Sequence, residues 1–235
     1  MLLQHERAKN KPCHDLIGPE EMDRPADAGI LRRQALADAL SAAGAFFHGR
    51  GWVPATGGNF SARLTSDQIL ITASGVHKGE LQREDFLVVD LEGRPQSRAS
   101  RPSYETGLHV QLYRFDAAIG AVLHVHTVAN TVLSRAALSR REECVVLSGY
   151  ELLKLLPGSP PPDAAVAIPV FDNDQDIARL AARVEARLRS AGAAAYLVAG
   201  HGLYAWGESV AQARHRVEAL EFMFECELRS GGFRP

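Results

Sequence analysis

The stretch AVLHVHTVANT, residues 121–131, sets His124 and His126 two positions apart inside an apolar run. In an extended strand residues i and i+2 share a face, so both imidazoles project side by side while Val125 turns the other way. Two neutral imidazoles at that spacing can bind one divalent cation and leave places for a third protein ligand and a substrate. The plainer alternative is a pair of hydrogen-bonded core histidines. His201 changes the balance. It stands in VAGHGLYAWG between Gly200 and Gly202, where glycines permit a sharp turn that aims a side chain rather than packing it. By itself it reads equally as a solvent-exposed turn histidine; with the HxH pair it makes a three-histidine site with an open position. His5, His14, His48 and His215 fall in the N-terminal segment or on expected helices and receive no role.

Glycine-rich turns form a second group. ATGGNFSARL places Gly57 and Gly58 before Asn59 and Ser61, and ITASGVHKGEL places Thr72, Ser74 and Gly75 at a strand end. Such turns expose successive backbone N–H groups and hydroxyls that can wrap a phosphate, with His77 or Lys78 adding charge. They are also common hairpin turns. Two carboxylates could serve acid–base chemistry: Glu105, ahead of His109 on an expected helix, and Glu151, after SGY at a helix start. A carboxylate close to a bound cation can act as a general base, and either glutamate could equally be a surface or capping residue.

The elements that must position these residues follow from periodicity. Residues 1–26 are polar, carry Pro12, Pro19 and Pro25, and read as a loosely ordered extension. A helix is expected from an Asp27 cap to Gly49 or Gly51. Strands are expected in NFSARL, QILITAS and DFLVVDLEGRP, then a helix in SYETGLHVQLYRF and a strand in AIGAVLHVHT. TVANTVLSRAAL and YELLKLL read as helical, and AVAIPVF as a strand. NDQDIARLAARVEARLRSAG is an amphipathic helix capped by Asp172 or Asp174 and ended at Gly192. AAYLVAGHGLYAWG reads as paired short strands around a tight turn, before a last helix over SVAQARHRVEALEFMFECELRSGG. The sum is a mixed α/β chain of 235 residues with residues 27–235 as one domain.

Composition bounds the function. A net charge of −2 gives no field for nucleic acid or an anionic membrane, so a bound anion must be held locally. Cys13, Cys144 and Cys226 show no CxxC pairing, which argues against a disulfide framework or a thiolate zinc knuckle and suits a reducing compartment. No run has signal-peptide or membrane-span character, and the cytoplasm is the expected location.

TGGNFSARL, ITASG, PSYE followed by AVLHVHT, and the late GHGLYAWG resemble, in this order, the class II aldolase/adducin-head family over about residues 30–230. Within it, SGYELLKLLPG and IPVFDNDQDI resemble the branch that dehydrates a 5-methylthio ketose 1-phosphate in methionine salvage. The resemblance implies a single-domain αβα layered α/β fold with a central, mostly antiparallel sheet. It implies one Zn2+ per subunit on His124, His126 and His201, with Gly58, Asn59, Ser74, Gly75 and Ser103 around the substrate phosphate. Aldolases carry two small hydroxyl residues before their glutamate, where this chain has Ser103 and Tyr104. Glu105 occupies the aldolases' catalytic position, and the dehydratase branch points to Glu151. Glu151 is expected as the principal acid–base residue with Glu105 second. The implied partners are a sugar phosphate substrate and further copies of the chain in a homotetramer. The neighbouring possibilities are an aldolase cleaving fuculose or ribulose phosphate and, from a different class, a non-catalytic adducin-like scaffold.

Overall fold

The computed structural model describes residues 25–97 and 101–231. The expected N-terminal extension therefore lies outside the described residues, apart from its last two positions. Those two begin helix α1, Pro25–Gly49. The helix thus starts ahead of Asp27, because a proline in a first turn gives up an N–H that has no intrahelical partner there.

Strands β1 (Asn59–Arg63), β2 (Gln68–Thr72) and β3 (Phe86–Asp90) lead to α2 (Thr106–Phe115), β4 (Ala121–Val125) and α3 (Val128–Ser139). Then come β5 (Cys144–Leu147), a 3-10 turn (Glu151–Leu155), β6 (Val166–Phe171), α4 (Ile177–Ala191), β7 (Ala195–Val198), β8 (Gly202–Gly207) and α5 (Val210–Ser230). The strands form one eight-stranded sheet in the order β3-β2-β1-β4-β8-β7-β6-β5. Every neighbouring pair is antiparallel except β6 and β7, which the α4 crossover joins in parallel.

Helices cover both faces, so the central strands are buried along nearly their whole length, the polar Asn59, Ser61 and His124 included. In β4, Leu123 and Val125 enter one core with Leu40 and Phe47 of α1, Ala137 of α3 and Leu220 of α5. Val122 faces the other core, with Leu108 and Val110 of α2 and Leu180 and Val184 of α4. The fold is an αβα sandwich. Among the described residues no helix is long and apolar enough to cross a membrane, and Cys144 and Cys226 are free thiols.

Two local expectations are corrected. The α4 cap is Asp176, whose side chain accepts from Arg179 N, rather than Asp172 or Asp174. Asp174 instead accepts from Asp176 N at 2.9 Å and pairs with Arg179. Strand β5 has no counterpart among the expected elements. It is a short edge strand, half-buried at Cys144 and Val145 and exposed at Val146, so it shows little apolar alternation.

Candidate metal and acid–base site

Strand register brings Asn59 of β1, His124 of β4 and Tyr204 of β8 into one row across the sheet centre. Such directly opposed residues share a face. His124 is fully buried and stacks on the Tyr204 ring at 3.9 Å between centroids. Its Nδ1 donates to Leu203 O at 3.0 Å, which fixes the tautomer and leaves Nε2 bare. His126 lies just past the strand end, its N–H bonded to Trp52 O at 2.8 Å. The next residue, Thr127, caps α3 by accepting from Asn130 N at 3.0 Å. That cap is anchored from α5: Thr127 Oγ1 and Asn130 Nδ2 both donate to the buried Glu221, at 2.6 and 2.7 Å. Burial pushes the Glu221 carboxyl up to about 7 even with these donors.

His201 comes from the β7–β8 turn. Gly202 is required there, since a Cβ on it would stand 2.6 Å from His124 Cε1 and 2.9 Å from His126 Cδ2. Gly58 is equally constrained: its φ is +75°, and a Cβ would meet Val53 and the His124 carbonyl. These glycines let three imidazoles close together.

One nitrogen from each of His124, His126 and His201 lies within 4.8 Å of the others. The Nε2 atoms of His124 and His126 are 2.7 Å apart, and those of His124 and His201 3.4 Å. Ligands at about 2.0–2.1 Å from a tetrahedral ion stand roughly 3.3 Å from one another, which the His124–His201 pair matches and the His124–His126 pair falls short of. Burial pushes His124 well below the usual imidazole range and His126 down to about 4, so both are neutral donors. The set fits zinc or another divalent ion of similar preference.

Glu105 closes the fourth side. It occupies the N-cap position of α2, yet its side chain makes no capping bond. Instead Oε1 lies 2.8 Å from His201 Nε2 and Oε2 3.4 Å from His124 Nε2. Burial opposes its charge, but hydrogen bonds from His201 and Asn59 hold the carboxyl below its usual range. It is a carboxylate.

Behind Glu105 runs a buried chain that sequence reasoning missed. Asn59 Nδ2 meets Glu105 Oε2, Asn59 Oδ1 meets His109 Nε2, and His109 Nδ1 meets Ser61 Oγ at 2.7 Å. Ser61 Oγ meets Tyr113 OH at 2.9 Å. Burial lowers His109 to about 4, so its ring is neutral. The proton positions then follow from donor counting. An ionised carboxylate only accepts, so the Asn59 amide presents its NH2 to Glu105 and its oxygen to His109. His109 must therefore carry its proton on Nε2 and accept from Ser61, which accepts from Tyr113. Every donor points toward Glu105. The i, i+4 spacing of Glu105 and His109 and the i, i+2 spacing of Asn59 and Ser61 were the available signals.

The turns assigned to phosphate are joined by a buried cation. Lys78, 2% exposed, donates from Nζ to Thr56 O at 2.9 Å and Val76 O at 2.6 Å. Each carbonyl belongs to one glycine turn. The side chain of Asn59 is committed to Glu105 and His109, so any phosphate contact from that residue falls to its backbone. Gly75, at φ +78°, has open space above it. Ser103 Oγ accepts from Glu105 N at 3.3 Å, and Tyr104 OH donates to Gln175 O at 2.7 Å. Glu151 is not drawn in: its carboxylate is 70% exposed and pairs with Lys154 at 2.7 Å.

Residues 38–228 match the Class II Aldolase and Adducin N-terminal domain family, and the chain belongs to it. The methylthioribulose-1-phosphate dehydratase of Pseudomonas aeruginosa (strain LESB58) is 49% identical over 198 residues, 84% of this chain and 95% of that protein. The protein of the same name from Azotobacter vinelandii (strain DJ / ATCC BAA-1303) is 47% identical over the same shares. Among solved structures, L-fuculose-1-phosphate aldolase from Thermus thermophilus aligns with a TM-score of 0.68 at 27% identity, covering 86% of this chain and 100% of that one.

Proposed function

We propose that this chain dehydrates 5-methylthioribulose 1-phosphate to 2,3-diketo-5-methylthiopentyl 1-phosphate, a hydro-lyase step of methionine salvage, with one zinc ion per subunit. The observation that carries the chemistry is the convergence of His124, His126 and His201 with Glu105 Oε1 2.8 Å from His201 Nε2. The substrate comes from the likeness to the dehydratases at 46–49% identity. A divalent ion on the three imidazoles would supply Lewis-acid polarisation of the ketose oxygens. Glu105, ionised and held by Asn59, takes the C3 proton. The C4 hydroxyl is protonated and leaves as water, and the resulting enol tautomerises to the diketone.

Within one chain it is Glu105 that stands at the histidines, so Glu105 is read as the principal base and Glu151, which the sequence put first, as a second group. Glu151 shares its 3-10 turn with Leu155, 40% exposed, which lines a concavity of about 490 Å³ with Phe222, 52% exposed. A neighbouring copy covering this face in a cytoplasmic homotetramer would receive Glu151 at its own site as the acid. Incubation with the methylthio ketose phosphate tests the reading. A diketone chromophore supports it, and an aldehyde plus dihydroxyacetone phosphate supports the aldolase alternative.

Glu105 is held through His109, so replacing His109 by Leu is expected to lower kcat about tenfold to hundredfold. That matches the roughly 1–3 kcal/mol of one broken buried hydrogen bond. Gln, which can return an N–H toward Asn59, is expected to recover most of it, with metal content and KM near wild type in both. Steady-state kinetics with metal analysis decides, and an equal loss in the Gln variant removes the donor role.

Gly58, Asn59, Ser74, Gly75 and Ser103 hold the phosphate over the Lys78 ammonium. Burial lowers Lys78 to about 8, against the opposing pull of Glu105 and Asp85. As pH rises through about 8 the free enzyme loses this charge, so KM is expected to rise while kcat changes less. Fold stability moves the other way. The unfolded lysine keeps its proton up to the ordinary value of 10.5, so between about 8 and 10.5 the unfolded state binds more protons and stability rises with pH. Lys78→Met should show a high KM with this pH step gone; a wild-type KM profile in that variant contradicts the role.

A further inference from the structure

We infer that the cavity between α2 and the 171–177 segment seats the substrate's methylthio group, an inference that rests on the dehydratase reading. Beyond the α4 cap at Asp176, the motif FDNDQDI has no role assigned so far. Its Asn173, Asp174 and Gln175 line a cavity of about 40 Å³ together with Glu105 and His201. The motif therefore abuts the reacting centre.

The cavity has the size and chemistry of a small thioether. A water needs roughly 10–15 Å³ of such space, so this one admits two or three heavy atoms, as in S–CH3. Three of its lining residues are apolar: Leu108 and Leu180, each 1% exposed, and Ile177, half-buried. The one charged wall residue besides Glu105 is neutralised, since Asp174 is bridged by Arg179 and accepts from Asp176 N. Tyr104 OH is tied to Gln175 O at 2.7 Å, which holds the phenol ring as the outer wall. Sulfur makes favourable contacts at about 5 Å from an aromatic ring.

Direction along the site agrees. The glycine turn lies against His126, where a Cβ on Gly57 would stand 2.9 Å from Nδ1, whereas the cavity opens beside His201. A ketose with phosphate on C1 and methylthio on C5 spans from one to the other, with its C2–C4 oxygens at the histidines and Glu105. Ile177, on the first turn of α4, then sets the depth available to the C5 substituent.

The experiment compares kcat/KM on 5-methylthioribulose 1-phosphate with its 5-ethylthio and 5-deoxy analogues, for the wild type, Ile177→Ala and Ile177→Phe. In the Ala variant the ethylthio-to-methylthio ratio is expected to rise about tenfold. In the Phe variant the methylthio-to-deoxy ratio is expected to fall about tenfold or more, the scale on which apolar pockets discriminate. Ratios unchanged from wild type, or a parallel loss on all three substrates, overturn the subsite. If the wild type dehydrates none of them, the dehydratase reading itself has failed. Either variant alone suffices should the other not fold.

Discussion

Glu105→Gln is expected to lower kcat by about 10²–10⁴, the span that a positioned general base contributes, with metal content and phosphate-ester binding retained. The substitution keeps shape and removes charge. Gln can still offer its carbonyl oxygen to Asn59 Nδ2, so the chain back to Tyr113 has an acceptor at its end. The three imidazoles remain, so the ion's ligands remain. What disappears is the one carboxylate that the fold holds ionised against His201 and His124. Glu151→Gln is expected to cost less, because in the chain itself that carboxylate faces solvent and Lys154. Normal turnover by the Glu105 variant beside a dead Glu151 variant would restore the order expected from sequence.

His201→Ala is expected to lose the bound metal and at least about a thousandfold in kcat, since two imidazoles leave the ion's coordination incomplete. His201 is the cleanest of the ligands to remove. Its side chain is 21% exposed in a surface turn, so its loss leaves little cavity. His124 sits at 0% exposure in the aromatic stack with Tyr204 and Tyr196, and truncating it would also cost packing. Metal analysis, a thermal melt and kinetics on the same preparation separate the effects. Retained metal with lost activity would move His201 from ligand to acid–base residue.

Much of the site was legible because its signals are local. The i, i+2 geometry of a strand joins His124 to His126, and Gly200 and Gly202 announce that His201 is aimed. The approach of Glu105 was only half legible. A glutamate at a helix start ordinarily serves that helix, and only the packing of α2 on the sheet turns it to the histidines instead. Glu221 gave no local sign, because a glutamate in an amphipathic helix becomes buried only once α5 packs over the α3 cap. At α4, three aspartates within five residues competed for one cap. Backbone geometry at Asp176 decided among them, and periodicity cannot see that. The FDNDQDI motif was visible as a pattern, yet its place beside Glu105 depends on α4 packing against α2 on one face of the sheet.

That three imidazoles and one carboxylate form a single dehydrating centre is tested most directly by metal stoichiometry. It is measured together with diketone release from 5-methylthioribulose 1-phosphate, before chelation, after it, and after zinc is returned. One ion per chain, with turnover lost on chelation and regained with zinc, is the predicted result. Full turnover by metal-free protein, or one bound ion with no diketone formed, would contradict it.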